Sequence, residues 1–193
     1  MKHVLKPLEP PYPPIVAKLF QGYPQGKDGH IIQLFRIFAN SLRFLAGKGA
    51  VNLLDKDSPL TLRERELVIL RTTANRGCEY EWGVHVSVFA SAAELNSEQI
   101  AATAHKGRVA SAPPVGWTAR DVVLLNCIDD LCHTASISAA NYAEFQTHWD
   151  LSQQLEIIAL CGNYHTISFV ANATRLPAEP GAPGFPQTAQ RSV

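Results

Sequence analysis

The sequence predicts an all-α domain, a helical bundle of roughly six to eight helices. Three observations carry that prediction. Apolar residues recur at helical spacing through the interior of the chain, helix-capping residues stand in front of those runs, and strand-like alternation is scarce throughout. The 193 residues are 46% hydrophobic and 18% charged, which supplies one packed core and excludes a disordered chain.

The elements follow in chain order. Pro7, Pro10, Pro11, Pro13 and Pro14 predict an extended, Pro-rich arm over residues 1–29. The helical domain spans 30–177. It opens with HIIQLFRIFANSLRFLAG, apolar at 31, 32, 34, 35, 37, 38, 42, 44 and 45, which reads as one helix stopped by Gly47. Thr61 and Glu64 form a capping box for LRERELVILRTTANRG, which ends with Arg76 in the last turn and Gly77 as the stop. A further helix starts near Cys78 and runs to about Ala93. Asn96 with Gln99, Thr118 with Asp121, Ser138 and Asp150 each open another. The last, LSQQLEIIALCGNYHTISFVANAT, is apolar at 151, 155, 157, 158, 160, 161 and 164. From Pro177 onward the Pro and Gly residues predict a non-helical tail over 178–193.

Charge and cysteine usage narrow the function classes. Lys plus Arg equal Asp plus Glu at 17 each, so no overall field draws the chain to nucleic acid or to an anionic membrane. No apolar run reaches the roughly 18 residues of a membrane span, and MKHVLKPLEPPYPP contains no signal-peptide core. Near-zero net charge is compatible with a homo-oligomer. Cys78, Cys127, Cys132 and Cys161 form no C-x-x-C pair and fit neither a zinc knuckle nor a disulfide framework, which points to a reduced, cytoplasmic setting.

One segment concentrates chemistry. GCEYEWGVH, residues 77–85, holds a thiol, two carboxylates and an imidazole beside Tyr80 and Trp82. At about 100° per residue, Glu81 and His85 lie one turn apart on one face, and Cys78, Glu81 and His85 form a stripe. Glu81 with His85 is an acid–base couple in which the carboxylate orients the ring and stabilises its protonated form. A helix start favours a Cys78 thiolate, whereas a nearby carboxylate raises the thiol. On local spacing alone the commoner alternative is structural: a solvated Glu–His pair, a small core cysteine and two aromatic anchors.

The larger pattern shifts that weighting. SPLTLRERELVILRTTANRGCEYEWGVH resembles the carboxymuconolactone decarboxylase family, whose superfamily includes alkylhydroperoxidase D (AhpD). IDDLCHTASISAANYAEF resembles the helix–turn–helix after the family's core motif, and LEIIALCGNYHTISFVANATRLP its C-terminal helix, so the similarity runs over residues 30–177. It implies an AhpD-like helical fold, assembly into a homo-oligomer (dimer, trimer or hexamer), and a pocket at the motif. In the AhpD branch a Glu precedes C-x-x-C-x-x-x-H. Here Glu66 takes the relay-Glu position, Cys78 the first-cysteine position, and Glu81 stands where the second cysteine would be. A carboxylate cannot form a disulfide, so a two-cysteine cycle within this motif is unavailable. Cys127, Cys132 or Cys161 could resolve Cys78 only if the fold brings one near.

The expectation is therefore a carboxymuconolactone decarboxylase-like lyase, working on a small organic acid or lactone. Its catalytic residues are Glu66, Glu81, His85 and Cys78, with no cofactor or metal. The alternatives are a peroxidase-related or thiol-stress oxidoreductase using Cys78, and a non-catalytic oligomeric ligand-binding protein. Zinc on Glu66, Glu81, His85 and Cys78 is set aside, because Glu-x-x-x-His is not specific. Arg63, three residues before Glu66, reads as its surface ion-pair partner, and Arg65 likewise as a surface pair. Arg71 stays open as an anchor for a substrate carboxylate. His165 either approaches the pocket or is a satisfied core histidine, and His133 is equally open.

Overall fold

The structure, a computed structural model, describes residues 6–26, 28–46, 58–105 and 116–186. Among them are nine helices and no strand, only an isolated bridge between Gln25 and Ile31. The helices are α1 (Pro14–Phe20), α2 (Gln33–Phe38), α3 (Leu42–Ala46), α4 (Leu62–Asn75), α5 (Glu79–Phe89), α6 (Ser97–Thr103), α7 (Ala119–Thr134), α8 (Ala139–His148) and α9 (Leu151–Thr174).

The centre is α4, which packs against α5, α7 and α9. Its apolar run Leu67–Leu70 is wholly buried, as are three charged residues, Glu64, Glu66 and Arg71. Each of these charges meets a partner on another part of the bundle. Glu64 accepts from Arg120 of α7 at 2.8 Å and from the Trp149 indole at 2.7 Å. Arg71 grips Asp129 of α7 through two bonds of 2.6 and 2.8 Å. Glu66 meets His85 of α5. Burying an ion is tolerable only with such pairing, so the charges of RERELVILR clamp α4 to its neighbours.

The capping signals fold as expected. Reciprocal capping boxes at Thr61, Asn96, Thr118 and Asp150 open α4, α6, α7 and α9, and the Ser138 hydroxyl caps α8. At the other end of α4, Gly77 adopts φ +61°. The Gly77 N–H donates to Ala74 O and the Cys78 N–H to Thr73 O, the paired bonds of a Schellman motif.

Three expectations need correction. Residues 33–46 form two short helices rather than one, and the expected stop at Gly47 lies outside the described residues. Asn40 breaks the run: its side chain donates to Ile37 O and Lys6 O, and the chain re-enters helix at α3. The arm is not extended throughout, because Pro14 takes the first helical position of α1, where its missing N–H costs nothing. Val16 and Phe20 of α1 are core residues. Finally, α5 stops at Phe89, and a turn through Glu94, at φ +56°, leads to α6.

The described part of the tail, residues 178–186, is non-helical and docked; residues 187–193 lie outside the described residues. Glu179 accepts from the Tyr80 hydroxyl at 2.6 Å and the Gln33 N–H at 2.9 Å. Phe185 lies on Trp82, with ring centroids 5.3 Å apart.

Candidate active site

The Schellman turn sets the geometry. It reverses the chain so that α5 runs back along α4, with Cys78 both closing one helix and serving as N-cap of the next. Two turns into α5, His85 faces Glu66 of α4 on one side and Tyr164 of α9 on the other. His85 Nδ1 lies 2.8 Å from Glu66 Oε2, and Nε2 lies 2.9 Å from the Tyr164 hydroxyl and 3.5 Å from Glu81 Oε1. All four side chains are buried. The two carboxylates therefore engage opposite nitrogens of a single ring.

Burial alone would depress the His85 ring. The carboxylates outweigh it: Glu66 on Nδ1 and Glu81 on Nε2 raise the imidazole to about 10, so it is held protonated at neutral pH. Burial, reinforced by Glu81 and Glu66, raises the Tyr164 phenol well above its usual range, so it remains a neutral hydroxyl.

Beside this relay is a cavity of about 250 Å³, walled by α2, α5, α9 and the 24–26 turn. Leu34, Phe35, Phe38, Val84, Phe89 and Ile167 make it apolar, while Glu81, His85 and Tyr164 supply a polar corner. Among the described residues, no Lys or Arg lines it. A mostly apolar hollow with a few convergent polar groups is the usual form of a small-molecule site.

The predicted residues do not all reach it. Glu81 and His85 line the cavity; Glu66 stands behind the ring, and Cys78 is not in the wall. As N-cap residue, Cys78 leaves the helical stripe: its backbone is at φ −92°, ψ 80°. Its side chain is fully buried, and that burial, with Glu81 adding to it, pushes the thiol up to about 11. The helix-start N–H of Glu81 favours the thiolate and the Glu81 charge opposes it, as read from the sequence, but burial outweighs both.

The arginines are also reassigned. Arg63 bonds Asp121 through Nε and Nη2, at 3.2 and 3.0 Å, rather than Glu66. Arg71, sealed against Asp129, cannot anchor a substrate. His165 does not line the cavity; its Nε2 is 3.3 Å from Cys132 Sγ. His133 Nδ1 bonds the Asp129 carbonyl.

Tyr164 was missed. It sits at a core position of the α9 apolar stripe, and the available signal was chemical: a buried tyrosine needs a partner for its hydroxyl.

Comparison with known proteins now bears on this arrangement. Residues 43–124 match the model of the carboxymuconolactone decarboxylase family. The matched segment is under half of the chain. It contains α4, α5 and the start of α7, and so both Glu66 and His85. No curated protein sequence matches the chain. Two solved structures share its fold. One is an uncharacterized peroxidase-related protein from Silicibacter sp. TM1040, with TM-score 0.74 and 20% identity over 96% of this chain and 100% of the other. The second is a protein of unknown function from Agrobacterium tumefaciens, suggested to be the antioxidant defence protein AhpD. Its TM-score is 0.61, with 21% identity over 71% of this chain and 90% of that one. The matched segment thus sits within an all-helical fold that continues beyond it and is shared with these two structures. No helix among the described residues is long and apolar enough to cross a membrane.

Proposed function

We propose that the protein is an acid–base enzyme of the carboxymuconolactone decarboxylase type, acting on a small, mainly apolar lactone or organic acid held in the 250 Å³ cavity. The observation that carries this reading is the buried Glu66–His85–Tyr164 chain, ending at the cavity's polar corner beside Glu81. Glu66 accepts from Nδ1–H of the imidazolium and fixes the ring, which leaves Nε2–H as the transferable proton. In a decarboxylation, the C–C bond to the carboxylate breaks, carbon dioxide leaves, and the electron pair remains on the adjacent carbon, delocalised into the lactone or a conjugated carbonyl. His85 Nε2 then supplies the proton, directly or through the Tyr164 hydroxyl, and the neutral ring is recharged from solvent by way of Glu81.

The test is turnover of a panel of lactones and β-keto acids by wild type, His85→Gln and Tyr164→Phe. Loss of a positioned general acid costs about 10²–10⁴ in rate, so His85→Gln should fall by that factor. Turnover independent of His85, or a panel neither bound nor turned over, would overturn the proposal.

The peroxidase-related neighbour motivates a second reading, thiol chemistry at Cys78. Complete burial and a thiol raised to about 11 weigh against it. Alkylation of Cys78 should be slow at pH 8; rapid modification, or a sulfenate formed with cumene hydroperoxide, would restore that reading.

Self-association belongs to the same proposal. Leu151, Leu155, Ile158 and Phe169 are exposed along α9, Leu151 at 83%. An apolar stripe of this kind is suited to burial against a second copy. Sedimentation should show an oligomer that Leu155→Glu disrupts. Four buried, free thiols are suited to a reducing, cytoplasmic setting.

A further inference from the structure

We propose that Cys132, Cys161 and His165 form a binding site for a thiophilic monovalent metal ion, Cu(I), separate from the His85 cavity. None of the three lines that cavity. Cys161 and His165 are four residues apart on α9 and face the same way one turn apart. Cys132 comes from the last turns of α7, which packs on α9. The donor atoms converge: Cys132 Sγ is 3.3 Å from His165 Nε2, and all three lie within 4.8 Å of one another. An ion bound at about 2.3 Å from sulfur and about 2.0 Å from nitrogen spaces its ligand atoms about 3.5–4 Å apart. Small side-chain rotations on two rigid helices therefore suffice to close the site.

The chemistry of the donors selects the ion. Two thiolates and an imidazole, with no carboxylate, form a soft set. Three donors satisfy Cu(I), whereas structural zinc takes four; among the described residues the cluster holds three His, Cys or carboxylate donors, and Thr72 Oγ1, 3.5 Å from Cys161 Sγ, is a hydroxyl. Charge points the same way. Arg76 donates from Nη2 to the Cys132 carbonyl at 2.9 Å, its Nε has no hydrogen-bond partner among the described residues, and its charge is felt at Cys161. Two thiolates around a monovalent ion carry one net negative charge, which that guanidinium complements; a divalent ion would leave it unanswered. Binding releases the two thiol protons to solvent and places the Nε2 lone pair on the metal, with the ring N–H at Nδ1. The two cysteines are buried and His165 is partly exposed, so the imidazole marks the way in.

The experiment is an anaerobic titration of the reduced full-length protein with Cu(I) against bicinchoninate, with Zn²⁺ and a zinc chromophore as a parallel arm. One equivalent of Cu(I) should be withheld from the chelator. Cys161→Ser and His165→Gln should each weaken binding by more than about 100-fold, beyond the loss of an outer-shell partner. Cys127→Ser, whose thiol faces the Asn141 carbonyl, should leave it unchanged. Copper-edge X-ray absorption on the wild-type complex should show two sulfurs and one nitrogen, a readout that needs no variant to fold. Absence of stoichiometric binding, equal loss in Cys127→Ser, or a coordination shell without both atom types would overturn the site. Preference for Zn²⁺ would overturn the choice of ion, and a Cys132–Cys161 disulfide with no metal uptake after reduction would overturn the metal reading altogether.

Discussion

His85 takes its charge from its neighbours, and that ties its proton to folding. Its folded value, about 10, lies above the 6.5 of a free imidazole. A raised value stabilises the fold fully below the unfolded value; the contribution fades as pH rises toward the folded value and is gone above it. Wild type should therefore lose thermal stability relative to His85→Gln between about pH 6.5 and 10, as read by calorimetry. Parallel curves across that window would mean that the ring is neutral in the folded protein. Glu66→Gln should lower the pH at which this loss occurs, because it removes the charge on Nδ1. The Glu81–His85 couple was legible from its four-residue spacing, and Glu66 from its place in the motif. Tyr164 was not, because it lies 79 positions from His85 and only packing brings the two together. Cys78 shows the opposite failure: helical spacing placed it on the stripe, but Gly77 had already turned the chain.

At the scale of the element, α4 explains why some of the fold could be read and some could not. Its Thr61–Glu64 box is a local device, written within four residues, and folds as read. The partners of its charges are nonlocal. Arg63 is three residues from Glu66, yet it reaches Asp121 instead, and Arg71 reaches Asp129. Spacing along one helix cannot show that a charge is buried against another. The Arg71–Asp129 pair, 0% exposed on both sides, makes a sharp test. Arg71→Met leaves Asp129 as a buried acid whose carboxylate, among the described residues, keeps the Asn75 amide bonded to it at 2.8 Å. Breaking a buried pair from one side costs about 3–5 kcal/mol, and the urea midpoint should fall accordingly. A loss under about 1 kcal/mol would show that the pair behaves as a surface bridge.

Across the whole molecule, the tail is tied to two of the helices that wall the cavity. Glu179 of the tail holds the Gln33 N–H at the start of α2 and the Tyr80 hydroxyl of α5, and Tyr80 in turn accepts from the Leu34 N–H at 3.3 Å. Leu34, Phe35 and Phe38 of α2 wall the cavity, so the tail latches the helix that closes it. Pro and Gly content announced a non-helical tail, but its docking depends on Gly83. A Cβ there would stand 2.3 Å from the Pro183 carbonyl oxygen, a backbone atom. Gly83→Ala sets two effects against each other. Alanine in a helix interior gains up to about 1 kcal/mol over glycine, while the clash must push the tail from α5 and break the 2.6 Å bond from the Phe185 N–H to Glu79. Global stability alone cannot separate them, so the measurement is local. Hydrogen exchange at Phe185 should speed up, Trp82 emission should shift as Phe185 leaves its ring, and amides at the start of α2 should lose protection. If α2 keeps its protection while Phe185 is released, the latch ends at Glu179 and the cavity wall stands without the tail.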